Sequence, residues 1–346
     1  MTGQSHSDIL TTFREQLLAE DLLHDGDSIG TDDETLLRFL RARKFDLEQS
    51  KKMFRDCQHW RKTVSGIGID ELYKRLDPFD YPEREVVSES WPMSFHKVIK
   101  ETSSYSEILM HFVRRIRSAV ASTVIDFYAD TLQQKGRPIN IEAFGGMDLD
   151  KLYKSCTPER HWESILVNAE CLVREVLPAA SRAAGRPIGT GLVIVDLKGF
   201  GLGAFWQIKS LVKSSFQVSQ DYYPETMGQL AIINAPSTFT IIWNAIKPWL
   251  AKETVAKIDI LGSDYKDVLL SLVDAENLPA SLGGACTCSG LGGCHLSGAG
   301  PWQEGRAGWG PKSQAKQEMD AAEKTDGDSE HQGLVNNVER SALEVS

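Results

Sequence analysis

The sequence predicts a two-part α/β protein, a small helical domain followed by a layered domain in which strands and helices alternate. Three observations carry this reading. Helical apolar spacing runs from Asp8 to about Ile69. From Trp91 onward, short apolar runs alternate with longer segments of helical period. Gly191-Leu-Val-Ile-Val-Asp196 is nearly continuous in apolar residues, as expected of a strand covered on both faces. That order defines an α/β layer domain behind a helical one.

The elements follow in turn. Leu10, Phe13, Leu17 and Leu18 keep helical spacing. Thr31-Asp-Asp-Glu34 has the spacing of a capping box and predicts a helix start. Leu36, Leu37 and Leu40 then share one helical face, with Phe39 flanking it. Arg38, Arg41, Arg43 and Lys44 crowd the remainder. A plain surface helix mixes acid and base, but this turn is all base. Its cations are therefore either solvated or turned toward an anion. Leu47 to Trp60 is a third helix with Met53 and Trp60 on its apolar side, and Gly66 and Gly68 end the region. Leu72 to Glu85 reads as a charged, Pro-containing connector.

In the layered part, Arg137 to Ala143 reads as a strand and His161 to Val176 as one long helix. Phe205 to Ser219 is a helix and Leu230 to Asn234 a second buried strand. Thr240 to Leu250 is an unusually apolar helix, and Lys257 to Leu261 a short strand. From Gly283 the text turns Gly-rich, then acidic and polar, and Lys312 to Ser346 reads as disordered.

One segment breaks the rhythm. Val98 to Asp130 separates Phe95-His-Lys97 from Gly136-Arg-Pro138, which otherwise look like two arms of a hairpin. It carries a helical apolar stripe (Ile108, Leu109, Phe112, Val113, Ile116, Val120) interleaved with His111, Arg114, Arg115 and Arg117. Three readings stay open: an ordinary helical insertion, a basic amphipathic membrane-surface helix, or translated non-coding sequence.

Bulk properties exclude several classes. A chain of 346 residues buries one large core or two modest ones. A net charge of −10 argues against a general nucleic-acid binder, which needs a basic surface. No run of about eighteen apolar residues appears, so no membrane span is expected. Met1 to Gly30 lacks the apolar core of a signal peptide, so a cytoplasmic protein is expected. Cys57, Cys156 and Cys171 read as reduced thiols.

Gly199-Phe-Gly-Leu-Gly-Ala204 matches GxGxxA between a strand and a helix, the form of a dinucleotide fingerprint. The next strand lacks the ribose-binding acid, ending instead in Asn234-Ala-Pro236, and Asp221 precedes that strand. The glycines then serve a tightly packed turn. P-loop, zincin and nucleophile-elbow motifs are absent. Cys286-Thr-Cys288 with Cys294-His295 has ligand types that suit zinc, but not a CxxC spacing, and no second half follows. It reads as a free-thiol closure, and no metal is expected. Thr254 and Lys257 lie one helical turn apart, and Tyr223 and Glu225 sit at a turn before a strand. With Arg43 and Lys44 they offer cations and hydroxyl donors for a phosphate and an acceptor for a polyol.

Together these motifs resemble a known family. Asp33-Glu-Thr-Leu-Leu-Arg-Phe-Leu-Arg-Ala-Arg-Lys-Phe-Asp46, Leu177 to Gly185, Asp196-Leu-Lys-Gly199, Gln220-Asp-Tyr-Tyr-Pro-Glu-Thr-Met-Gly228, Ile232 to Pro236 and Glu276-Asn-Leu-Pro279 with Gly283-Gly284 occur in the family's order. They closely resemble the Sec14-like phosphatidylinositol transfer proteins of the CRAL-TRIO family, fungal Sec14 type. The similarity runs from about residue 8 to about residue 311, except for Val98 to Asp130, which is foreign to the pattern.

The resemblance implies a helical N-terminal CRAL-TRIO domain at 1–70 and a connector with the first strand at 71–97. The atypical insertion follows at 98–130, then a CRAL-TRIO lipid-binding domain at 131–310 with a mixed β-sheet flanked by helices. An acidic tail at 311–346 ends the chain. It implies phosphatidylinositol binding and transfer between membranes, presentation of that lipid to phosphoinositide kinases, and no enzymatic chemistry. No cofactor is expected beyond a bound phospholipid. Two acyl chains carry on the order of thirty methylenes at ~0.8 kcal/mol each, so unassisted transfer through water costs roughly 20 kcal/mol or more. A carrier therefore needs a dry cavity with a lid, and Ile241, Ile242, Trp243, Ile246 and Trp249 resemble the family's gate helix.

By the same resemblance, Arg43, Lys44, Tyr223, Glu225, Thr254 and Lys257 match the family's phosphoinositol site. The family's phosphatidylcholine headgroup site is a cluster of hydroxyls, and its positions appear here as Phe95, Asn140, Ala169, Gly191 and Val193. With the hydroxyls gone, a second ligand other than phosphatidylcholine is expected, such as a sterol or another neutral lipid. The chain is expected to be a monomer, transiently on Golgi or endosomal membranes, with no nucleic-acid partner. Two rival classes are a non-exchanging lipid sensor or scaffold, and a nucleotide-dependent enzyme using the Gly199–Ala204 turn.

Overall fold

In a computed structural model, the structure describes residues 5–99 and 136–304. The predicted insertion beyond residue 99 and the acidic tail at 311–346 lie outside the described residues.

Three helices build the N-terminal layer: α1 (His6–Ala19), α2 (Asp33–Ala42) and α3 (Leu47–Thr63). Their apolar stripes meet around Phe13, Phe39 and Phe54, with Phe54 edge-on to Phe39 at 4.9 Å and to Phe13 at 6.3 Å. Leu17 is buried, whereas Leu18 faces outward. The cap of α2 is Asp32 rather than Thr31, because its carboxylate accepts the Thr35 N–H at 3.0 Å. The basic turn divides. Arg38 is buried and donates to Thr35 Oγ1 at 3.0 Å, while Arg41 is exposed and pairs with Glu34 at 3.4 Å.

The predicted connector at 72–85 is partly helical. Short helices α4 (Ile69–Arg75) and α5 (Arg84–Ser90) flank a Pro-containing turn. Helix α4 places acids in its first turn and bases in its last, complementing the helix dipole, so its charged text conceals a helix.

A five-stranded mixed sheet of order β1-β2-β3-β4-β5 forms the second layer. The strands are β1 (Met93–Val98), β2 (Pro138–Ala143), β3 (Gly191–Asp196), β4 (Met227–Ile233) and β5 (Ile258–Ile260). Strand β1 is antiparallel to β2, and every later pairing is parallel. Between β2 and β3 the chain forms α6 (Leu149–Ser155), α7 (Pro158–Cys171) and α8 (Leu177–Ala184). The predicted single helix at 161–176 is α7 continued by a π-helical turn, Leu172–Val176. Pro178 in the first turn of α8 lacks an N–H for the regular ladder, and the wider turn accommodates the break.

Helix α9 (Leu202–Tyr222) joins β3 to β4. Helix α10 (Phe239–Ile246) follows β4 and is shorter than predicted, because Pro248 turns the chain into a 3-10 segment, Lys247–Trp249. Short α11 (Lys252–Val255) precedes β5, and α12 (Lys266–Leu272) follows it.

Both sheet faces are covered. Leu192, Ile194, Ala231 and Ile233 pack under α12 with Leu269, Leu278 and Leu282. Val193, Val195, Leu230 and Ile232 face the other way, toward Phe205, Ile208, Phe239 and Ile242. This two-sided covering explains the unbroken apolar text of β3. The Gly199–Ala204 motif is a turn into α9, with Gly199 at φ +84°. Asp196 braces it by accepting the Lys198 N–H at 2.9 Å and Asn234 Nδ2 at 2.8 Å. The tight approach falls on Gly145 instead, where an added Cβ would lie 1.6 Å from the Lys198 carbonyl oxygen.

Candidate functional site

Between the sheet and the α7, α9 and α10 helices lies an apolar cavity of about 290 Å³. Its floor is two rows of side chains across the strands. One row runs Phe95, Asn140, Val193, Leu230 and Ile258 in consecutive register. The other runs Met93, Glu142, Val195 and Ile232. The period of two along every strand brings them to one face. Phe205, Ile208, Val212 and Phe216 on α9 form one wall, and Leu166 and Ala169 on α7 another.

All five second-ligand positions line this cavity: Phe95, Asn140, Ala169, Gly191 and Val193. Three of them are neighbours in the first row. Gly191 sits against β2, where an added Cβ would come 3.1 Å from the Pro138 carbonyl oxygen, so a hydroxyl-bearing side chain there would crowd that strand. The polar content of the floor is Asn140 and Glu142, which share a hydrogen bond from Asn140 Nδ2 to Glu142 Oε1 at 3.0 Å. Burial pushes the Glu142 carboxyl up to about 7, against a downward pull from Asn140.

Of the expected gate residues, Ile242, Trp243 and Ile246 line the cavity from α10. Ile241 points outward and is 51% exposed. Trp249 lies beyond the helix end, in the 3-10 segment, and packs at the margin of the same core.

The six phosphoinositol positions do not form one contact cluster. Lys257 and Glu225 pair at 2.8 Å, and Lys257 Nζ also donates to the Met227 carbonyl at 3.3 Å. The Lys257 N–H bonds the Thr254 carbonyl at 3.0 Å, which places that hydroxyl one turn away. Lys44 reaches from the helical domain to Glu253, beside Thr254, at 2.9 Å, with both side chains well exposed. Arg43 donates Nη1 to the Ala42 carbonyl at 3.0 Å, and among the described residues no carboxylate pairs with it. Its remaining donors suit a phosphate.

Tyr223 is placed differently. It is buried, lines the cavity and donates its hydroxyl to Glu170 at 2.9 Å. Burial together with the Glu170 charge raises its pKa well above the ordinary tyrosine range. Glu170 is the hub of a network that the sequence did not disclose. Arg61 grips it with two bonds of 2.9 and 2.7 Å, and Arg174 adds a third partner at 2.6 Å. Burial lowers the Arg61 pKa, but the Glu170 bonds more than offset that and hold it above its ordinary value. Arg61 and Glu170 lie 109 positions apart, so only the fold joins them. Trp60 stacks on Tyr222 at 4.3 Å and meets Tyr223 edge-on at 5.8 Å, completing the joint between the helical layer and α9.

A helical layer clamped onto a mixed sheet, with an apolar cavity roofed by an apolar helix and separate polar groups outside it, defines a hydrophobic-ligand binding protein. Comparison with known proteins identifies the family. Residues 9–56 match the CRAL/TRIO N-terminal domain and residues 126–284 the CRAL/TRIO domain. The chain is 44% identical to the Sec14 cytosolic factor of Schizosaccharomyces pombe, over 79% of this chain and 81% of that protein. It is 38% identical to the SEC14 cytosolic factor of Kluyveromyces lactis, over 82% of each. It is 34% identical to a phosphatidylinositol/phosphatidylcholine transfer protein, SFH12, of Arabidopsis thaliana, over 84% of this chain and 46% of that one. The chain belongs to the CRAL-TRIO family of Sec14 type. As a member of that family it is not an enzyme.

Proposed function

We propose that this protein binds phosphatidylinositol, carries it between membranes and presents it to phosphoinositide kinases, exchanging it for a second, more apolar lipid. The observation that carries the reading is the apolar cavity roofed by α10, with Arg43, Thr254 and Lys257 outside it. The acyl chains occupy the cavity. The phosphoinositol group engages Arg43, Lys44, Thr254 and Lys257, with Glu225 accepting from the inositol ring and Tyr223 holding the turn that carries it. In this reading the Lys257–Glu225 pair opens as the headgroup enters, Lys257 turning to phosphate and Glu225 to the ring hydroxyls. The names of the relatives support lipid transfer. The loss of hydroxyls at Phe95, Ala169, Gly191 and Val193 favours a second ligand other than phosphatidylcholine. The protein then works transiently at cytosolic membrane faces, Golgi or endosomal, as a monomer.

The test is transfer of labelled phosphatidylinositol and phosphatidylcholine between vesicles, together with mass spectrometry of retained lipid. Changing Arg43 and Lys257 to Ala should cut phosphatidylinositol transfer to background while leaving the melting temperature within a few degrees. Unchanged transfer refutes the assigned site, and abundant bound phosphatidylcholine refutes the second-ligand assignment. Lipid retention without any exchange between vesicles identifies a sensor or scaffold instead.

A further inference from the structure

Behind the cavity floor, on the opposite side of β1, a second cluster forms. The segment after Gly284 folds back along the sheet edge and ends in a short helix, α13 (Cys294–Ser297). It brings Cys286, Cys288 and Cys294 against His96 of β1, and the four potential ligand atoms all lie within 4.8 Å of one another. The Cys286 and Cys288 sulfurs are 3.6 Å apart. A tetrahedral site with Zn–S bonds of 2.3 Å has sulfur–sulfur edges of about 3.8 Å.

His96 supplies an independent observation. It is fully buried, and among the described residues neither ring nitrogen has a hydrogen-bond partner. The Cys294 backbone lies near the ring but outside hydrogen-bond geometry. A buried imidazole without a partner is costly unless something else satisfies it. The β1–β2 register breaks between Phe95 and Val98, and Lys97 takes φ +54°. Successive side chains of a strand point to opposite faces, so Phe95 serves the cavity and His96 the thiols, and the bulge follows them.

We propose that His96, Cys286, Cys288 and Cys294 form a structural zinc site of Cys3His type. The three thiols release their protons as the Zn–S bonds form, and one imidazole nitrogen completes the tetrahedron. Three thiolates and Zn2+ leave one net negative charge. Lys97, which interacts electrostatically with both His96 and Cys286, balances it. The site is closed, with four protein ligands, so its role is to pin the segment carrying α13 onto β1. Trp302 is held beside it, donating to the Gly298 carbonyl at 2.7 Å and meeting Phe95 edge-on at 6.1 Å. The sequence reading weighed Cys286, Cys288 and Cys294 with His295, whereas the fold brings up His96 from far upstream.

The test uses the full chain purified with reductant and without chelator. Elemental analysis should find about one zinc per chain. Replacement by cobalt(II) should give the intense visible bands and thiolate charge-transfer absorption of a tetrahedral site. Cys288→Ser and His96→Asn should each weaken metal retention at least about tenfold. If either variant misfolds, the cobalt spectrum of the unaltered protein still decides. A metal-free protein that does not take up zinc, a cobalt spectrum typical of octahedral oxygen ligands, or a Cys286–Cys288 disulfide formed under reductant overturns the proposal.

Discussion

Glu142 is the acid in the cavity floor, and its position makes it a pH-dependent liability when no ligand is bound. Burial raises its pKa from 4.5 to about 7. The folded state therefore holds the proton more tightly than the unfolded chain. Its contribution to stability is complete below about 4.5 and is lost as pH rises through about 7, amounting to about 3 kcal/mol at most. Urea titrations of the lipid-free protein should show this decline between pH 4.5 and 7, and Glu142→Gln should flatten it. Equal slopes in the two proteins would remove Glu142 as the cause. The candidate positions were legible from short motifs and the resemblance they carry. Arg43, Lys44, Glu225, Thr254 and Lys257 all sit in or beside local patterns that bring polar groups to helix ends and turns. Tyr223 was legible as a member of its turn but not as a partner of Glu170. Glu170 itself, in the last turn of α7, reads like any solvated helical acid, and only the arrival of Arg61 from another layer reveals its burial.

Among the elements, α10 has the clearest signature. It packs Ile242 and Ile246 inward, against the cavity, and presents Ile241 outward. An exposed isoleucine on a lid suits contact with a bilayer surface. Ile241→Glu should leave the folding free energy within about 0.5 kcal/mol, as for most surface substitutions. It should slow vesicle transfer about tenfold or more, since inserting an isoleucine into lipid is worth about 2 kcal/mol. Unchanged transfer would mean that α10 does not touch the membrane. The length of α10 was overestimated because its apolar text continues through Trp249, whereas Pro248 ends the regular helix. Helices α4 and α5 were hidden for the opposite reason. Each is only two turns long and mostly polar or charged, too short for apolar periodicity to stand out.

Across the whole molecule, the Arg61–Glu170 pair fastens the helical layer to the sheet domain. Both side chains are almost entirely withdrawn from water, at 3% and 0% exposure. Glu170→Gln keeps the shape but removes the buried charge that Arg61 and Arg174 share, leaving them the half-exposed Asp70. The expected cost is about 3–5 kcal/mol, the usual range for breaking a buried pair from one side. Denaturant unfolding checks this, and a loss below about 1 kcal/mol would mean that water or Asp70 compensates. The layer order itself was legible, because strand and helix periods alternate in the text. The clamp was not, because it joins residues from two layers.

Strand β1 has a further consequence, in the order of assembly. It pairs with β2 as a hairpin arm would, yet about forty residues separate Val98 from Pro138. By chain length alone, closing a span of forty residues instead of five is three doublings, worth about 2 kcal/mol in closure entropy. The parallel strands β2 to β5, each joined to the next through packed helices, do not bear that particular cost. Strand β1 is then the last to zip onto the sheet, and the cavity gains its fifth floor strand only at the end of folding.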